Sequence, residues 1–351
     1  MAEFRPKDFL PASVLAQLTG VRVSDPERSL RVAKARKRRA RLTIDGRLNI
    51  LAADHPARRV LRVGENPLAM ADRHDYLARI VRVLQSSLVD GVLATMDILE
   101  DLLLLHDLSR TAGGPALLDD KVLLASLNRG GLLGASWELD DPITGATPAT
   151  CAAWGLDGAK MLLRIGDDDP GSLKTLLATV QAISELNALG LPMFLEPLPV
   201  VKTEQGYKVV KTAEALAKMA GAASALGDSS RLLWLKLPYC ENYEMVTRAT
   251  TLPILLLGGE SVGDATPFLR EVAAGLAIGT SVSTRQGHKL LVAGPVRGAL
   301  VGRNVLYPGA EDPLVVAEAV GGIVHRGWEV GQALALAKDA VQGKDWFVES
   351  F

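Results

Sequence analysis

The chain has 351 residues, 48% of them hydrophobic and 23% charged, which is the composition of a folded globular protein and excludes a disordered or collagen-like chain. Its 39 Lys and Arg balance 40 Asp and Glu, so no overall field gathers nucleic acid or an anionic membrane. The length allows two domains or one large barrel with an extension.

The cysteines and the N-terminus bear on where the protein works. Cys151 and Cys240 lie far apart and have neither a disulfide framework nor metal-binding spacing, which fits a reducing compartment. The first ten residues carry charge where a signal peptide needs an apolar core, and no apolar stretch reaches the ~20 residues of a membrane span. We therefore expect a cytoplasmic protein without membrane or nucleic-acid partners.

Eight short apolar runs alternate with longer amphipathic segments. The runs are continuously apolar, which is typical of strands buried on both faces of a parallel sheet. Helical segments lie between most of them, such as residues 170–189, which open with a proline and are followed by Gly190. An open doubly wound sheet would use the same elements, but eight repeats at this spacing favour a (β/α)8 TIM barrel over residues 46–351. The strands are expected at 47–54, 90–97, 122–128, 158–165, 192–198, 232–238, 253–259 and 298–305.

Two segments lie outside this repeat. Residues 1–45 are predicted to form a helical extension that contains the basic run KARKRRAR at 34–41. The run predicts either a phosphate or nucleic-acid patch or a solvated helix face, and the absence of interleaved aromatic residues favours the solvated face. Residues 279–296 predict a long polar connection before the last strand.

Polar residues stand at the carboxyl ends of the predicted strands, where barrel enzymes carry their chemistry. The first strand ends at Asp54, followed by His55 and Arg58. Asp54 is a candidate for chemistry, although it could also cap the next helix.

Two lysines interrupt otherwise apolar strands, Lys160 in the fourth and Lys236 in the sixth. An unpaired ammonium is costly inside a barrel, so each lysine needs a reason to be there. Burial lowers the pKa of a lysine and supplies the free amine that forms a Schiff base with a carbonyl. The alternative is a structural ion pair with a carboxylate such as Asp54 or Glu196.

Glu196 lies among apolar residues of the fifth strand, which predicts a raised pKa and a role as proton donor and acceptor. Its alternative is an ion pair with a lysine. Arg164 shares one face of the fourth strand with Lys160, which predicts that both point into the barrel mouth and that the arginine lowers the pKa of the nucleophile.

The last two strands end in LLLGGES and LVGRNVLY. Gly258, Gly259 and Gly302 would let backbone N–H groups approach a ligand closely. Because barrels often bind phosphate at these two strand ends, Arg303 is predicted to add a bidentate contact to a phosphate.

In order and spacing, these motifs resemble the class I aldolases of the deoxyribose-phosphate and tagatose-bisphosphate aldolase superfamily, which includes the archaeal-type fructose-bisphosphate aldolases. The resemblance runs from about 47 to 307. GLDGAKMLLRI and LPMFLEPLPV resemble strands four and five of the tagatose branch, and LLWLKLPY stands in the place of the Schiff-base strand. AADH and GRNV resemble the first and last strands of the archaeal type, except that Pro56 follows AADH where those enzymes usually have glycine.

The resemblance implies a lyase that cleaves a phosphorylated ketose, such as fructose or tagatose bisphosphate, without a metal or cofactor. It implies that Lys236 forms the imine, that Glu196 and Asp54 move protons, and that Lys160 lowers the pKa of Lys236 or holds a substrate oxygen. Assembly into homo-oligomers is expected at the level of the family. Substrate or phosphate contacts are implied for Arg58, Arg164, Gly258, Gly259, Gly302 and Arg303.

Several alternatives remain open. The substrate could be deoxyribose phosphate or a deoxy-keto-gluconate phosphate of inositol breakdown, or the barrel could bind a sugar phosphate without turnover. A nucleic-acid-associated protein would use the basic run at 34–41. A metal-dependent aldolase would need clustered histidine ligands, and the five histidines show no such spacing: His55, His74, His106, His288 and His325.

Overall fold

The computed structural model of the protein describes residues 4–204, 206–261, 263–283 and 289–341. The strands are β1 (Leu48–Ala53), β2 (Gly91–Ala94), β3 (Val122–Ser126), β4 (Gly158–Ile165), β5 (Met193–Thr203), β6 (Gly206–Val209), β7 (Leu233–Pro238), β8 (Ile254–Leu257), β9 (Gly279–Ser283), β10 (Lys289–Ala293) and β11 (Val296–Val301). The helices are α1 (Pro6–Phe9), α2 (Ser13–Ser24), α3 (Arg28–Ala35), α4 (Arg73–Leu84), α5 (Met96–Thr111), α6 (Pro148–Ala153), α7 (Pro170–Ala188), α8 (Ala213–Ser224), α9 (Glu244–Arg248), α10 (Thr266–Ala277), α11 (Arg303–Leu306), α12 (Pro313–Arg326) and α13 (Val330–Val341), with a 3-10 turn at Pro56–Arg58.

Eight strands form a closed parallel barrel in the order β1, β2, β3, β4, β5, β7, β8, β11. Pairing of β4 with β5 and of β11 with β1 leaves no free edge among these strands. The predicted (β/α)8 barrel is confirmed, and each of its eight predicted strands is present. Three ends differ most from the prediction. The second strand stops at Ala94, because α5 begins at Met96. β5 runs on to Thr203 in an antiparallel hairpin with β6, and the last strand stops at Val301 before the single turn of α11.

Side chains along each barrel strand alternate between the interior and the surrounding helices. On β1, Leu48, Ile50 and Ala52 pack inside the barrel, whereas Leu51 and Ala53 pack in the core beneath the helices. Phe194 and Trp234 belong to the inner layer. Because the period is two residues, polar side chains continue these inward rows at the carboxyl ends of the strands. They are Asp54 two residues beyond Ala52, Glu196 two beyond Phe194, and Lys236 two beyond Trp234.

The predicted connection at 279–296 contains the antiparallel pair β9 and β10. Residues 284–288 between them, His288 included, lie outside the described residues. In the part of the chain that the structure describes, no helix is long and apolar enough to cross a membrane.

The basic run was predicted to be a solvated helix face. Residues 36–39 are not helical, and Arg36 and Arg39 are largely buried, whereas Lys37 and Arg38 are exposed as predicted. Helix α3 ends at Ala35, and the chain then extends past the amino ends of β2, β3 and β4. A carboxylate lies just before each of these strands and draws the cations in. The ion pairs are Arg36 and Arg38 with Asp157, Lys37 with Asp120, and Arg39 with Asp90. The basic run therefore joins the N-terminal helices to the barrel wall.

Replacement of Arg36 by alanine should destabilise the protein by about 3 kcal/mol, because its fully buried side chain binds Asp157 and the carbonyl oxygens of Lys121 and Gly155. Arg38→Ala is the matched control, since Arg38 binds the same carboxylate with a side chain that is 45% exposed. It should cost less than about 1 kcal/mol. Urea unfolding measures both, and equal losses would contradict the assigned difference in burial.

Candidate active site

Five charged side chains meet in a row at the carboxyl ends of the barrel strands. Arg129 contacts Oδ2 of Asp54. Nζ of Lys160 lies 3.3 Å from that oxygen and 2.6 Å from Oε2 of Glu196. Nζ of Lys236 lies 3.0 Å from the same Oε2. We name Arg129, Asp54, Lys160, Glu196 and Lys236 the charge row; its charges alternate, and it begins and ends on a cation.

Strand register sets the depth of the two lysines. Lys160 of β4 is paired with Phe194, two residues below Glu196, so Lys160 lies deeper in the barrel than the carboxylate. Leu235 of β7 is paired with Leu195, so Lys236 lies level with Glu196. The side chain of Lys160 is 0% exposed and that of Lys236 is 6% exposed. Lys236 is therefore the lysine nearer the barrel mouth.

The structure brings together the four residues that were predicted for catalysis. The ion pairs expected as the alternative for the buried lysines are also present, so pairing by itself does not distinguish a structural role from a chemical one. Burial lowers the pKa of both Lys160 and Lys236, and the charge of Arg129 lowers both further. Asp54 does not cap a helix; its carboxylate is held by Arg129 and Lys160.

The predicted rise in the pKa of Glu196 is wrong. Burial favours such a rise, but the ammonium groups of Lys160 and Lys236 outweigh it and hold the pKa well below its usual range. Glu196 is therefore a carboxylate in the free protein. The sequence shows the apolar neighbours of Glu196 along its own strand, whereas the two cations come from adjacent strands.

Arg129 was not predicted, and the cation beside Lys160 is Arg129 and not Arg164. It lies in the loop that follows β3, and its Nε donates to Oγ of Ser126 at 3.0 Å. Its backbone N–H donates to Oγ1 of Thr144 at 2.9 Å. The signal that could have found it is its position directly after a predicted strand, where barrel enzymes place functional side chains.

Arg58 and Arg164 lie outside the charge row, next to a different carboxylate, that of Glu138. Both pair with Glu138, and both donate to the carbonyl of Gly131, at 3.0 Å from Arg58 and 3.3 Å from Arg164. Burial lowers the pKa of Arg58 to about 10, and the charge of Arg164 contributes. That these arginines bind substrate stays a prediction.

The glycines at the ends of β8 and β11 differ in how closely they are approached. A Cβ on Gly302 would lie 2.3 Å from Cε1 of His55, and one on Gly258 would lie 2.3 Å from Oδ1 of Asn304. A Cβ on Gly259 would meet only Nζ of Lys211, at 3.5 Å. Gly258 and Gly302 are thus required by close packing, whereas Gly259 leaves its backbone open to a ligand.

Among the described residues, three buried polar atoms just beyond β1 and β11 have no hydrogen-bond partner: Nδ1 of His55, Nε of Arg303 and Oδ1 of Asn304. Burial lowers the pKa of His55, as does the charge of Arg303, so the imidazole is neutral. Nη1 of Arg303 lies 3.5 Å from Glu260. Unsatisfied buried groups are costly, and a polar ligand bound here would supply the missing partners. Among the described residues, no three His, Cys, Asp or Glu side chains are grouped to hold a metal ion.

A family model described as Cgl0159-like matches residues 46–324. The chain belongs to the Cgl0159-like family. The crystal structure of Cgl0159 from Corynebacterium glutamicum is 36% identical in sequence, with a TM-score of 0.80, and the match covers 91% of this chain and 99% of that one.

Members of the aldolase superfamily also match. A protein of Saccharolobus solfataricus named "Uncharacterized aldolase SSO3226" is 28% identical over 157 residues, which are 44% of this chain and 49% of that protein, so the match spans about half of the relative. A Schiff base forming fructose-1,6-bisphosphate aldolase has a TM-score of 0.54 at 22% identity, covering 80% of this chain and 95% of that one. An archaeal fructose 1,6-bisphosphate aldolase has a TM-score of 0.56 at 20% identity, covering 85% and 100%. The family thus has the aldolase fold, and the predicted resemblance to this superfamily is confirmed.

Gly302→Ala should destabilise the protein by about 2 kcal/mol or more, because the new Cβ would also lie 2.5 Å from the carbonyl oxygen of Ala52, which is backbone and has little freedom to move. Gly259→Ala is the control and should change stability by less than about 0.5 kcal/mol. Urea unfolding followed by circular dichroism compares the two. A tolerated Gly302→Ala would show that the packing at this strand end is looser than described.

Proposed function

We propose that the protein is a class I aldolase that cleaves and forms a carbon–carbon bond in a phosphorylated ketose through a Schiff base on Lys236. The observation that carries this proposal is the pair of buried lysines, Lys160 and Lys236, on either side of the single carboxylate oxygen of Glu196. A Schiff base needs an unprotonated amine near neutral pH, and burial beside other cations favours one. The name of the S. solfataricus relative and the titles of the two aldolase structures support the same reaction class.

Lys236 is the proposed nucleophile because it has fewer partners than Lys160. Lys160 is fully buried between Asp54 and Glu196, and these two carboxylates favour its charged form. Lys236 has one carboxylate, lies nearer the mouth and is slightly less buried than Lys160. A ketone that enters from the mouth therefore meets Lys236 first.

Imine formation uses the shared carboxylate. The neutral amine of Lys236 adds to the ketone carbon, and the carbinolamine loses its hydroxyl as water to give an iminium. While the nitrogen of Lys236 is uncharged, as the amine or as the neutral carbinolamine, Glu196 faces only the ammonium of Lys160, so its pKa is higher than when both lysines are charged. It can then take up a proton from solvent and donate it to the departing hydroxyl, while the nitrogen lone pair forms the iminium bond.

Carbon–carbon cleavage follows from the iminium. The bond between the α carbon and the β carbon of the iminium breaks, and its electron pair neutralises the iminium nitrogen as an enamine. A carboxylate takes the proton of the hydroxyl on the β carbon, which becomes the aldehyde. Glu196 and Asp54 are the bases of the charge row. Proton return to the enamine carbon restores the iminium, and water hydrolyses it to release the ketone and regenerate Lys236.

The surroundings of the row favour an anionic substrate. The row itself holds three cations and two anions. At the ends of β8 and β11, the open backbone at Gly259 and the unpartnered Nε of Arg303 supply donors where TIM barrels often bind phosphate. We assign the substrate phosphate to this position, so that its binding energy orients the reacting carbons.

Borohydride reduction tests the proposal. Protein incubated with dihydroxyacetone phosphate or with ketose bisphosphates and then reduced should gain the mass of the reduced ligand on Lys236, read by intact-mass and peptide mass spectrometry. Lys236→Met should lose the adduct. Lys202→Met, which removes an exposed lysine on β5, is the matched control and should retain it. An adduct on another lysine, or none with any ligand, would contradict the assignment.

A cleavage assay on the same ligands compares substrates. Deoxyribose phosphate and a deoxy-keto-gluconate phosphate are added, and the ligand that is cleaved with the highest kcat/KM identifies the substrate class. Ligand binding without an adduct or turnover would support the non-catalytic sugar-phosphate barrel in place of the aldolase.

A further inference from the structure

Arg129 changes the charge balance of the row. Without it, Asp54, Lys160, Glu196 and Lys236 would hold two anions and two cations, and each ammonium would be matched by a carboxylate. With it, three cations share two carboxylates. Because a guanidinium does not lose its proton in proteins, a buried excess charge is relieved most readily by a lysine.

The distances indicate how the two carboxylates are divided among the three cations. Arg129 contacts the same Oδ2 of Asp54 that Lys160 approaches only to 3.3 Å, while Lys160 lies 2.6 Å from Glu196. Lys160 therefore depends on Glu196, and the carboxylate left to Lys236 is already shared. Burial and the charge of Arg129 lower the pKa of both lysines, and Lys236, at the end of the row, is the lysine left with a single, shared carboxylate.

We propose that Arg129 is a positioning residue that sets the protonation of Lys236 through the Asp54–Lys160–Glu196 row, so that the nucleophile is an amine near neutral pH. The proposal rests on the function proposed above for Lys236 and adds a role for a residue that does not touch it.

The other groups that face Lys236 do not supply this charge. Arg303 of α11 lowers the pKa of Lys236 as well, but its charge is offset by Glu260. His55, beyond β1, is buried and neutral. Glu196 raises the pKa of Lys236. Among the groups that face Lys236 from β1, β3, β4, β5 and α11, Arg129 is the fixed cation whose carboxylate, Asp54, is also shared with Lys160, so its charge is not matched within the row.

Arg129 is also held in place by contacts apart from Asp54. Its Nε donates to Ser126 at 3.0 Å, its backbone N–H donates to Thr144 at 2.9 Å, and its side chain is 10% exposed. The guanidinium is thus fixed before any substrate arrives, and its effect on the lysines requires no conformational change.

The pKa of Lys236 can be measured without substrate, by trace labelling with acetic anhydride across pH and peptide mass spectrometry. In Arg129→Met, the apparent pKa of Lys236 should rise by about one unit, because the row becomes neutral. Arg129→Lys should stay close to the wild type. Labelling of the exposed Lys202 should follow the same curve in every variant.

A double variant separates charge from local structure. Arg129→Met with Asp54→Asn leaves two lysines and one carboxylate, which restores a net charge of one, so the pKa of Lys236 should return to within about 0.3 units of the wild type. Asp54→Asn alone should lower it. These variants also provide a test if Arg129→Met does not fold.

An unchanged pKa in Arg129→Met, or a double variant that does not return towards the wild type, would overturn the proposal. The labelling needs neither an imine nor turnover, so this failure is distinct from failure of the aldolase assignment. If Lys236 labels as expected and borohydride traps nothing, Arg129 keeps its role and the proposed reaction is wrong.

Discussion

The site depends on one interaction, the sharing of a single carboxylate oxygen of Glu196 by two buried ammonium groups. Two cations cannot be brought this close in a barrel interior unless an anion lies between them, and one carboxylate cannot fully neutralise both. The members of the charge row come from β1, β3, β4, β5 and β7 or the residues just beyond them, so the row exists only when the barrel is closed. Closure of the sheet therefore also assembles the charge row that contains the proposed nucleophile.

The two ends of the barrel use charge in opposite ways. At the amino end, each cation from Arg36 to Arg39 has a carboxylate within an ion-pair distance, and the pairs fasten the N-terminal helices to the wall. At the carboxyl end, cations outnumber carboxylates in the charge row, and buried polar atoms just beyond β1 and β11 have no partner among the described residues. Matched charges stabilise the fold, whereas unmatched ones favour proton transfer and anion binding.

The sequence predicted well whatever depends on local pattern. Continuous apolar runs located all eight barrel strands, and a single Lys, Glu or Asp interrupting them located four members of the charge row. Prediction from the sequence failed where the environment of a side chain is set by residues of neighbouring strands or loops. The apolar neighbours of Glu196 predicted a raised pKa, but cations from β4 and β7 reverse the direction. Arg164 was paired with Lys160 by its spacing, yet a carboxylate from the loop after β3 draws it away. The basic run was read as a helix face because Asp90, Asp120 and Asp157 lie far from it in sequence.

Arg58 and Arg164, predicted from the sequence to contact substrate, form a second cluster of cations around one carboxylate. Pro56 stands where the archaeal-type enzymes usually have glycine, and it begins the 3-10 turn that ends at Arg58. Pro56 therefore also sets the backbone path to this arginine. Arg58 and Arg164 both pair with Glu138, and the pKa of Arg58 is lowered first by burial and then by the charge of Arg164. In this cluster, as in the charge row, there are more cations than carboxylates. If the proposed reaction takes place at the charge row, substrates would be distinguished by how their anionic groups fit the two unequal clusters, one at Arg303 and one at Glu138.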